Sequence, residues 1–376
     1  MKFLYISLIG ILLLGCIPLP GTVTSTPTAS QTPTATTETS TATPVPGNNP
    51  VLVGAGDIAD CNSNGDEATA DLLDGIPGVV FTTGDNAYPD GTAVEFMECY
   101  DPSWGRHKAR TYPSAGNHDY HTAGAVGYFN YFGSVAGDPD KGYYSYDLGT
   151  WHIIVLNSNI PVKVGSAQEQ WLRADLAAHP VTCTLAYWHH PRFSSGTVHG
   201  SNTRVQPLWQ ALYDFGADVI LAGHEHNYER FALQSPKGIA DPVRGIRQFV
   251  IGSGGRSHYS FGNPLPTSEV RNDDTYGVLK LTLHSDSYSW EFIPESGKTF
   301  TDFGTAPCVT SETSTMGEPL TFKPKNFVTV KSGSPARNYG SSSKLQTDNT
   351  PIENFFGHLK EKVLRHIFQI IKYSVR

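Results

Sequence analysis

The amino-acid sequence predicts an α/β fold, a sandwich of mixed β-sheet with helices on the outside. Three observations point there. Short apolar, β-branched runs alternate with helical patterns from Val51 to Ala222, and strand-like runs then succeed one another with little helix between them from Arg247 to Ile293. The early strand ends carry carboxylates, histidines and an amide, where open α/β sheets gather their ligands. No internal repeat is present.

Val51-Leu52-Val53-Gly54-Ala55-Gly56 reads as the first strand. Asp66 to Leu73 reads as a short helix, with Ala68, Leu72 and Leu73 on one face and Gly75 as its stop. Val79 to Thr83 is a second buried strand, and Gly84 removes a side chain where the backbone must bend. Trp151 to Leu156 is another buried run. Ser166 and Glu169 have the spacing of a capping box that opens a helix through Ala178. Thr182 to Trp188 is a strand; Val205, Leu208, Trp209 and Leu212 repeat at helical spacing and stop at Gly216; Asp218 to Ala222 is a strand again. The late strands are Arg247–Ile251, Tyr276–Leu283 and Tyr288–Ile293.

Charge and flanking segments bound the function. Net charge is −8, from 27 basic and 35 acidic residues, which argues against nucleic-acid binding through a basic field. The apolar run from Phe3 to Leu14 is too short for an ordinary transmembrane helix and fits a signal peptide over residues 1–16. Leu13-Leu14-Gly15-Cys16 resembles a bacterial lipobox, which implies cleavage before Cys16 and lipid on that cysteine; a plain signal peptide with an incidental cysteine is the alternative. Either reading puts the mature chain outside the cytoplasm, as a cell-surface lipoprotein or a secreted protein. Residues 17–50 are rich in Thr, Pro and Ser with little to bury, so a disordered stalk is expected. Cys61, Cys99, Cys183 and Cys308 remain, an even count that suggests two disulfides in an oxidising compartment. Of three pairings, Cys61–Cys99 and Cys183–Cys308 are favoured. Cys61 and Cys99 each come shortly after a ligand-bearing strand end, and Cys308 would tie the end of a domain over residues 51–309 back to its core.

The residues just beyond the buried strands form an ordered set. After the first strand comes Asp57; after the second, Asp85 and Tyr88; after Thr111-Tyr112-Pro113-Ser114-Ala115, Gly116-Asn117-His118-Asp119; after Tyr187-Trp188, His189 and His190; after Leu221-Ala222, Gly223-His224-Glu225-His226. Hydrolysing a phosphate ester means delivering hydroxide to an anion, and two nearby metal ions do this by binding the phosphoryl oxygens and lowering the pKa of bound water. A bridging carboxylate, here Asp85, would hold the ions at their spacing. Carboxylates and a phenolate suit a hard trivalent ion, and imidazoles with an amide oxygen suit a softer divalent one. His224 and His226 are separated by one residue and would diverge in an extended segment, so a turn is required between them.

These motifs resemble the calcineurin-like metallophosphoesterases and, within them, the purple acid phosphatases. The family pattern of Gly-Asp-x, Gly-Asp-x-x-Tyr, Gly-Asn-His-Asp/Glu, a strand ending in His, and Gly-His-x-His occurs in order from Gly56 to His226, and the resemblance covers about Val51 to Cys308. It implies a four-layer α-β-β-α sandwich of two mixed β-sheets flanked by helices. It also implies Fe(III) on Asp57, Asp85, Tyr88 and His226, and a divalent Fe, Zn or Mn on Asp85, Asn117, His189 and His224. The activity implied is hydrolysis of phosphate monoesters by metal-bound hydroxide. Asn117, His118 and His199 would meet the substrate, His118 would act as general acid with Asp119 orienting it, and His199 would stand near the leaving group. His190 would stack or cap beside His189. His107, His121, His152, His179, His258 and His284 have no motif support; Arg192 and Arg256 could meet substrate phosphate, with an ordinary surface ion pair the favoured reading. A phosphodiesterase or nucleotidase of the same superfamily is the nearest alternative, and a surface glycan-binding protein without turnover is a more distant one.

After Cys308 the chain changes. Thr310 to Met316 is a polar linker, and residues 310–350 resemble the opening of a β-sandwich module of bacterial surface hydrolases, some of which contact cell-wall glycan. Residues 351–376 instead show an apolar helical face of Phe356, Leu359, Val363, Ile367 and Ile370 among basic residues. We read this as a truncated module with a divergent tail; a basic amphipathic helix on a membrane is the functional alternative.

Overall fold

The computed structural model describes residues 49–309. The expected signal peptide, Cys16, all but the last residues of the stalk, the 310–350 module and the 351–376 tail lie outside the described residues.

Two mixed sheets form the centre. In the first, β1 (Val51–Ala55), β2 (Val79–Thr83) and β3 (Thr111–Ser114) run parallel, and β11 (Gly277–Leu283), β12 (Ser287–Pro294) and β13 (Phe303–Pro307) extend it antiparallel from β1. In the second, β5 (Trp151–Val155), β6 (Cys183–Tyr187), β7 (Val219–Ala222) and β9 (Arg247–Ile251) run parallel. β4 (Tyr144–Leu148) closes one edge antiparallel; β8 (Tyr228–Phe231) and β10 (Ser268–Asn272) close the other. The helices are α1 (Gly65–Asp74), the single turn α2 (Ala93–Glu95), α3 (Val126–Phe132), α4 (Ala167–Ala178) and α5 (Gln206–Asp214). The result is the expected pair of mixed sheets with flanking helices.

The second sheet is buried on both faces, which is why β5, β6 and β7 read as continuous apolar runs rather than alternating ones. Alternate residues serve different cores. Ile153, Leu185, Tyr187, Val219 and Leu221 join the cluster shared with Leu52, Phe81 and Leu281 of the first sheet. Ile154, Ala186, Ile220 and Val250 join Leu172, Leu176, Leu208, Trp209 and Leu212 of α4 and α5. Truncating a residue such as Leu212 to alanine would cost about 2–5 kcal/mol from lost transfer energy and the cavity left behind.

Local signals act as the residue chemistry dictates, with one correction. The Ser166 hydroxyl accepts from the Glu169 N–H, but the Glu169 carboxylate accepts from the Gly165 N–H and pairs with Arg173, so the box is only half of the expected one. Cys61 pairs with Cys99 and Cys183 with Cys308, with Cα separations of 4.9 and 5.5 Å.

The loops beyond β1, β2, β6, β7 and β9 converge and are stitched together by backbone bonds. Asp57 N–H donates to Gly84 O, Ile58 N–H to Asp85 O, Gly223 N–H to His189 O and Gly56 N–H to Ile251 O. Strand ends from both sheets are thereby held within one small volume.

Candidate metal centre

Three of the ligand candidates sit in backbone conformations that side-chain-bearing residues seldom adopt. Asp57, Asp85 and His224 have φ of 60°, 52° and 72°. For His224 this is the turn that the His224/His226 spacing required: it directs the two imidazoles to different places. Gly116 is needed for close approach, since a Cβ there would lie 2.0 Å from Asp85 Oδ1.

The seven sequence-predicted ligands converge into two donor sets that share Asp85. In the first, the Tyr88 hydroxyl lies 3.0 Å from Asp57 Oδ1, 3.0 Å from Asp85 Oδ2 and 3.2 Å from His226 Nε2. In the second, His189 Nε2 lies 2.9 Å from Asn117 Oδ1, 3.0 Å from His224 Nδ1 and 3.2 Å from Asp85 Oδ2. Ligands bound about 2.0–2.2 Å from one ion at tetrahedral or octahedral angles stand roughly 2.9–3.5 Å apart, so both sets have the spacing of a coordination shell.

The donor chemistry fits cations as well. One phenolic proton cannot satisfy three acceptor atoms, and neither can one ring N–H on His189. Asp57 and Asp85 are 0% and 1% exposed, and no lysine or arginine pairs with either among the described residues. Buried carboxylates without a counter-charge are costly, and bound cations would supply it. Without them, protons take that part. Burial pushes the His189 imidazole down, but the Asp85 carboxylate outweighs it and lifts it to about 9. Burial raises the Asp85 carboxyl, and the charges of His189 and His118 more than offset it and hold it well below the usual range. Burial and then the His189 charge push His224 down, and burial with the Asp57 and Asp85 charges pushes the Tyr88 phenol up.

Surrounding groups orient these donors. The His189 Nδ1–H donates to Thr83 O at 2.9 Å, which leaves Nε2 to face the centre; His226 Nδ1 meets Ser257 Oγ at 2.7 Å while its ring lies on Tyr259 at 3.9 Å. Asp57 Oδ2 accepts from the His224 N–H, and Asp85 Oδ1 from the His118 N–H.

His118 lies over Tyr88 with ring centroids 4.4 Å apart, donates from Nδ1 to Pro89 O at 2.6 Å and places Nε2 4.0 Å from Asp85 Oδ2. The expectation for Asp119 needs correcting. Its carboxylate is fully buried and accepts from the N–H groups of Asn86 and Gly116 and from Asn86 Nδ2, so it ties the β2 and β3 loops together rather than orienting the His118 ring. His199 stacks on the outer side of His224 at 3.9 Å, on a loop held by the Glu225 carboxylate. His190 packs on His224 at 4.4 Å and on His189 at 5.0 Å, the stacking place expected of it, with Nδ1 on Ser158 Oγ.

Sequence reasoning missed two groups. His121 lies 4.5 Å from His118 and shares the Pro89 carbonyl with it. The loop after β9 supplies Ser257 and Tyr259; on the same loop Arg256, which the sequence singled out, makes the ion pair favoured for it, with Asp60, and lies over the Tyr88 ring. The glycine-rich Gly252-Ser253-Gly254-Gly255 was the available signal, a further strand end at which backbones meet closely. Arg192 makes no ion pair among the described residues; it donates to Gln206 Oε1 and lies against Phe193.

A family model of the calcineurin-like phosphoesterases matches residues 44–228. That stretch is similar to this family in its sequence, and it holds all seven of the candidate ligands. Its relatives include purple acid phosphatase 15 of Arabidopsis thaliana, 26% identical over 203 residues, and purple acid phosphatase 21 of the same plant, 33% identical over 159 residues. These matches cover 44% and 39% of this chain but only 38% and 36% of the relatives, so the chain spans well under half of their length. The fold is similar to that of purple acid phosphatase PPD1 from yellow lupin seeds, with a TM-score of 0.57 at 18% identity over 69% of this chain and 53% of that one. The phosphoesterase family thus accounts for both the two-sheet architecture and the clustering of these donors at its strand ends.

Proposed function

We propose that this phosphoesterase is a binuclear-metal phosphatase, of the acid phosphatase kind, that hydrolyses phosphate monoesters outside the cytoplasm. The observation that carries the reading is the pair of donor sets joined through Asp85. Asp57, Asp85, Tyr88 and His226 suit Fe(III), and Asp85, Asn117, His189 and His224 suit a divalent Fe, Zn or Mn. Two such ions, when bound, draw charge from the phosphoryl oxygens and lower the pKa of a water molecule.

The chain's own residues do the remainder. Asp85 belongs to both sets and fixes their spacing. Asn117 and the rings of His199 and His190 wall the divalent side. His118, with Nδ1 committed to Pro89 O, has Nε2 turned to the centre, where its proton passes to the alcohol oxygen as the P–O bond breaks. Asp119 acts at one remove, by holding the Asn117–His118 turn in place. Curated relatives bear the name purple acid phosphatase, and Tyr88 is the residue that points to the same branch. Two disulfides favour an extracytoplasmic site. Lipid anchoring through Cys16 and a glycan contact through residues after Cys308 rest on sequence alone.

Elemental analysis of the purified protein, its visible spectrum, and turnover of p-nitrophenyl phosphate against bis-p-nitrophenyl phosphate test the proposal. Two ions per chain including iron, a phenolate-to-iron band and preference for the monoester are expected. Asp85→Asn should lose metal and turnover together; wild-type activity in that variant would end the bridging role.

A further inference from the structure

A cleft of about 810 Å³ opens between the loop after β5 and the start of α5. Its walls adjoin the metal centre. Asn159, in the first loop, donates from Nδ2 to Ala115 O at 2.9 Å, next to the Gly116-Asn117 turn. Ser158, one residue earlier, holds His190 Nδ1 at 2.7 Å, and the His190 ring packs on His224. On the opposite wall, Asn202 N–H donates to Pro191 O, which ties the Thr203–Arg204 turn to the residues after His190. The cleft therefore lies beside the divalent side of the centre, joined to it by the Asn159–Ala115 and Ser158–His190 contacts.

Its lining is unlike the rest of the molecule. Ile160, Val162 and Pro207 give it an apolar wall, while Lys163 and Arg204 are its charged residues and none of the lining residues is acidic. Both cations are exposed, and neither pairs with a carboxylate among the described residues. The chain as a whole has a net charge of −8, so a cleft holding two unneutralised cations and no acid is a local reversal of sign.

We propose that this cleft is the subsite for the alcohol portion of the phosphoester, and that Lys163 and Arg204 select alcohols carrying a second phosphate. The inference rests on the phosphatase reading above and names its substrate class. The scissile phosphate occupies the centre, the carbon skeleton lies along Ile160, Val162 and Pro207, and the second phosphate meets the two cations. Charge-assisted contacts in an open cleft support a selectivity of about tenfold.

The test compares glucose 1,6-bisphosphate with glucose 6-phosphate as substrates of the metal-loaded enzyme. Wild type should show a kcat/KM for the bisphosphate about tenfold above that for the monophosphate, carried by KM. In the double variant Lys163→Met/Arg204→Met the ratio should fall to about one, while Lys280→Met, on the six-stranded sheet, keeps the wild-type ratio. Inhibition by inorganic phosphate should persist in the double variant, which marks an intact centre. Equal kcat/KM for the two esters in wild type, or a preference that survives the double substitution, overturns the subsite and leaves the phosphatase reading standing. Absence of turnover of both glucose esters by an enzyme that hydrolyses p-nitrophenyl phosphate overturns the subsite alone, and absence of turnover of p-nitrophenyl phosphate as well overturns the phosphatase reading with it.

Discussion

Replacing Gly116 by alanine should disable the metal centre without unfolding the domain. A Cβ at this position would lie 2.0 Å from Asp85 Oδ1, 2.2 Å from Asp85 N and 2.7 Å from Asp85 Cγ. Carbon–oxygen contacts close at about 3.3 Å, so the carboxylate must retreat by roughly 1.3 Å. An ion–oxygen bond of about 2.1 Å stretched by that much is lost. Because Asp85 contributes to both donor sets, both of the proposed ion positions suffer. A misplacement of about 1 Å at a reacting centre costs on the order of 100-fold in rate, and we expect at least that loss in turnover of p-nitrophenyl phosphate, with metal content falling from two ions per chain. Because the Asp85 backbone N must shift as well, the cost is at least the about 1–3 kcal/mol of ordinary overpacking, against a domain stability of about 5–15 kcal/mol, so the fold should persist with a lowered melting temperature by circular dichroism. Gly75→Ala is the control, since a Cβ there finds its nearest neighbour at 3.7 Å. A Gly116→Ala protein with two ions and wild-type turnover would refute the placement of Asp85 at the shared position.

The same structure makes three further predictions. Tyr88→Phe removes the phenol that faces Asp57, Asp85 and His226; it should abolish the visible absorption band while the melting curve stays close to wild type. Cys183 and Cys308 close a loop spanning 125 positions, and replacing both by alanine should lower the unfolding free energy by about 5 kcal/mol in denaturant titrations on the chain-entropy relation, against about 4 for Cys61 and Cys99, which span 38. Burial pushes the Asp218 carboxyl up to about 7, above its unfolded value of 3.8, against the pull of the Thr184 and Val309 N–H groups. The folded state therefore holds a proton that the unfolded state has lost; the stability this supplies is full below about pH 4 and gone once pH has risen through about 7, a change of a few kcal/mol. Asp218→Asn should flatten that slope in melts run from pH 4 to 8, and an unchanged slope would exclude Asp218 as its source.

Much of this protein was legible in the order of its residues. The apolar runs at Val79–Thr83, Cys183–Tyr187 and Val219–Ala222 had to be buried strands, because chain segments that cannot expose a polar face have nowhere else to go. A hard or imidazole ligand after each of five such strands selected the candidate ligands, since strand period and turn chemistry fix which residues stand at a strand's end. What the sequence left open was everything that depends on distance. Asp119 and His118 are neighbours in the chain, yet the carboxylate faces the amides of Asn86 and Gly116 and the imidazole faces Pro89, because a tight turn sends adjacent side chains apart. His121, Ser257 and Tyr259 lie near the centre only because the two sheets bring the loops after β3 and β9 to the same place. The cleft with Lys163 and Arg204 likewise exists only once the β5 loop and the start of α5 are folded against each other. Periodicity and strand-end chemistry are local and can be read along the chain; the sharing of one carboxylate by two donor sets, and the charge of a cleft, are sums over residues far apart in sequence that only packing assembles.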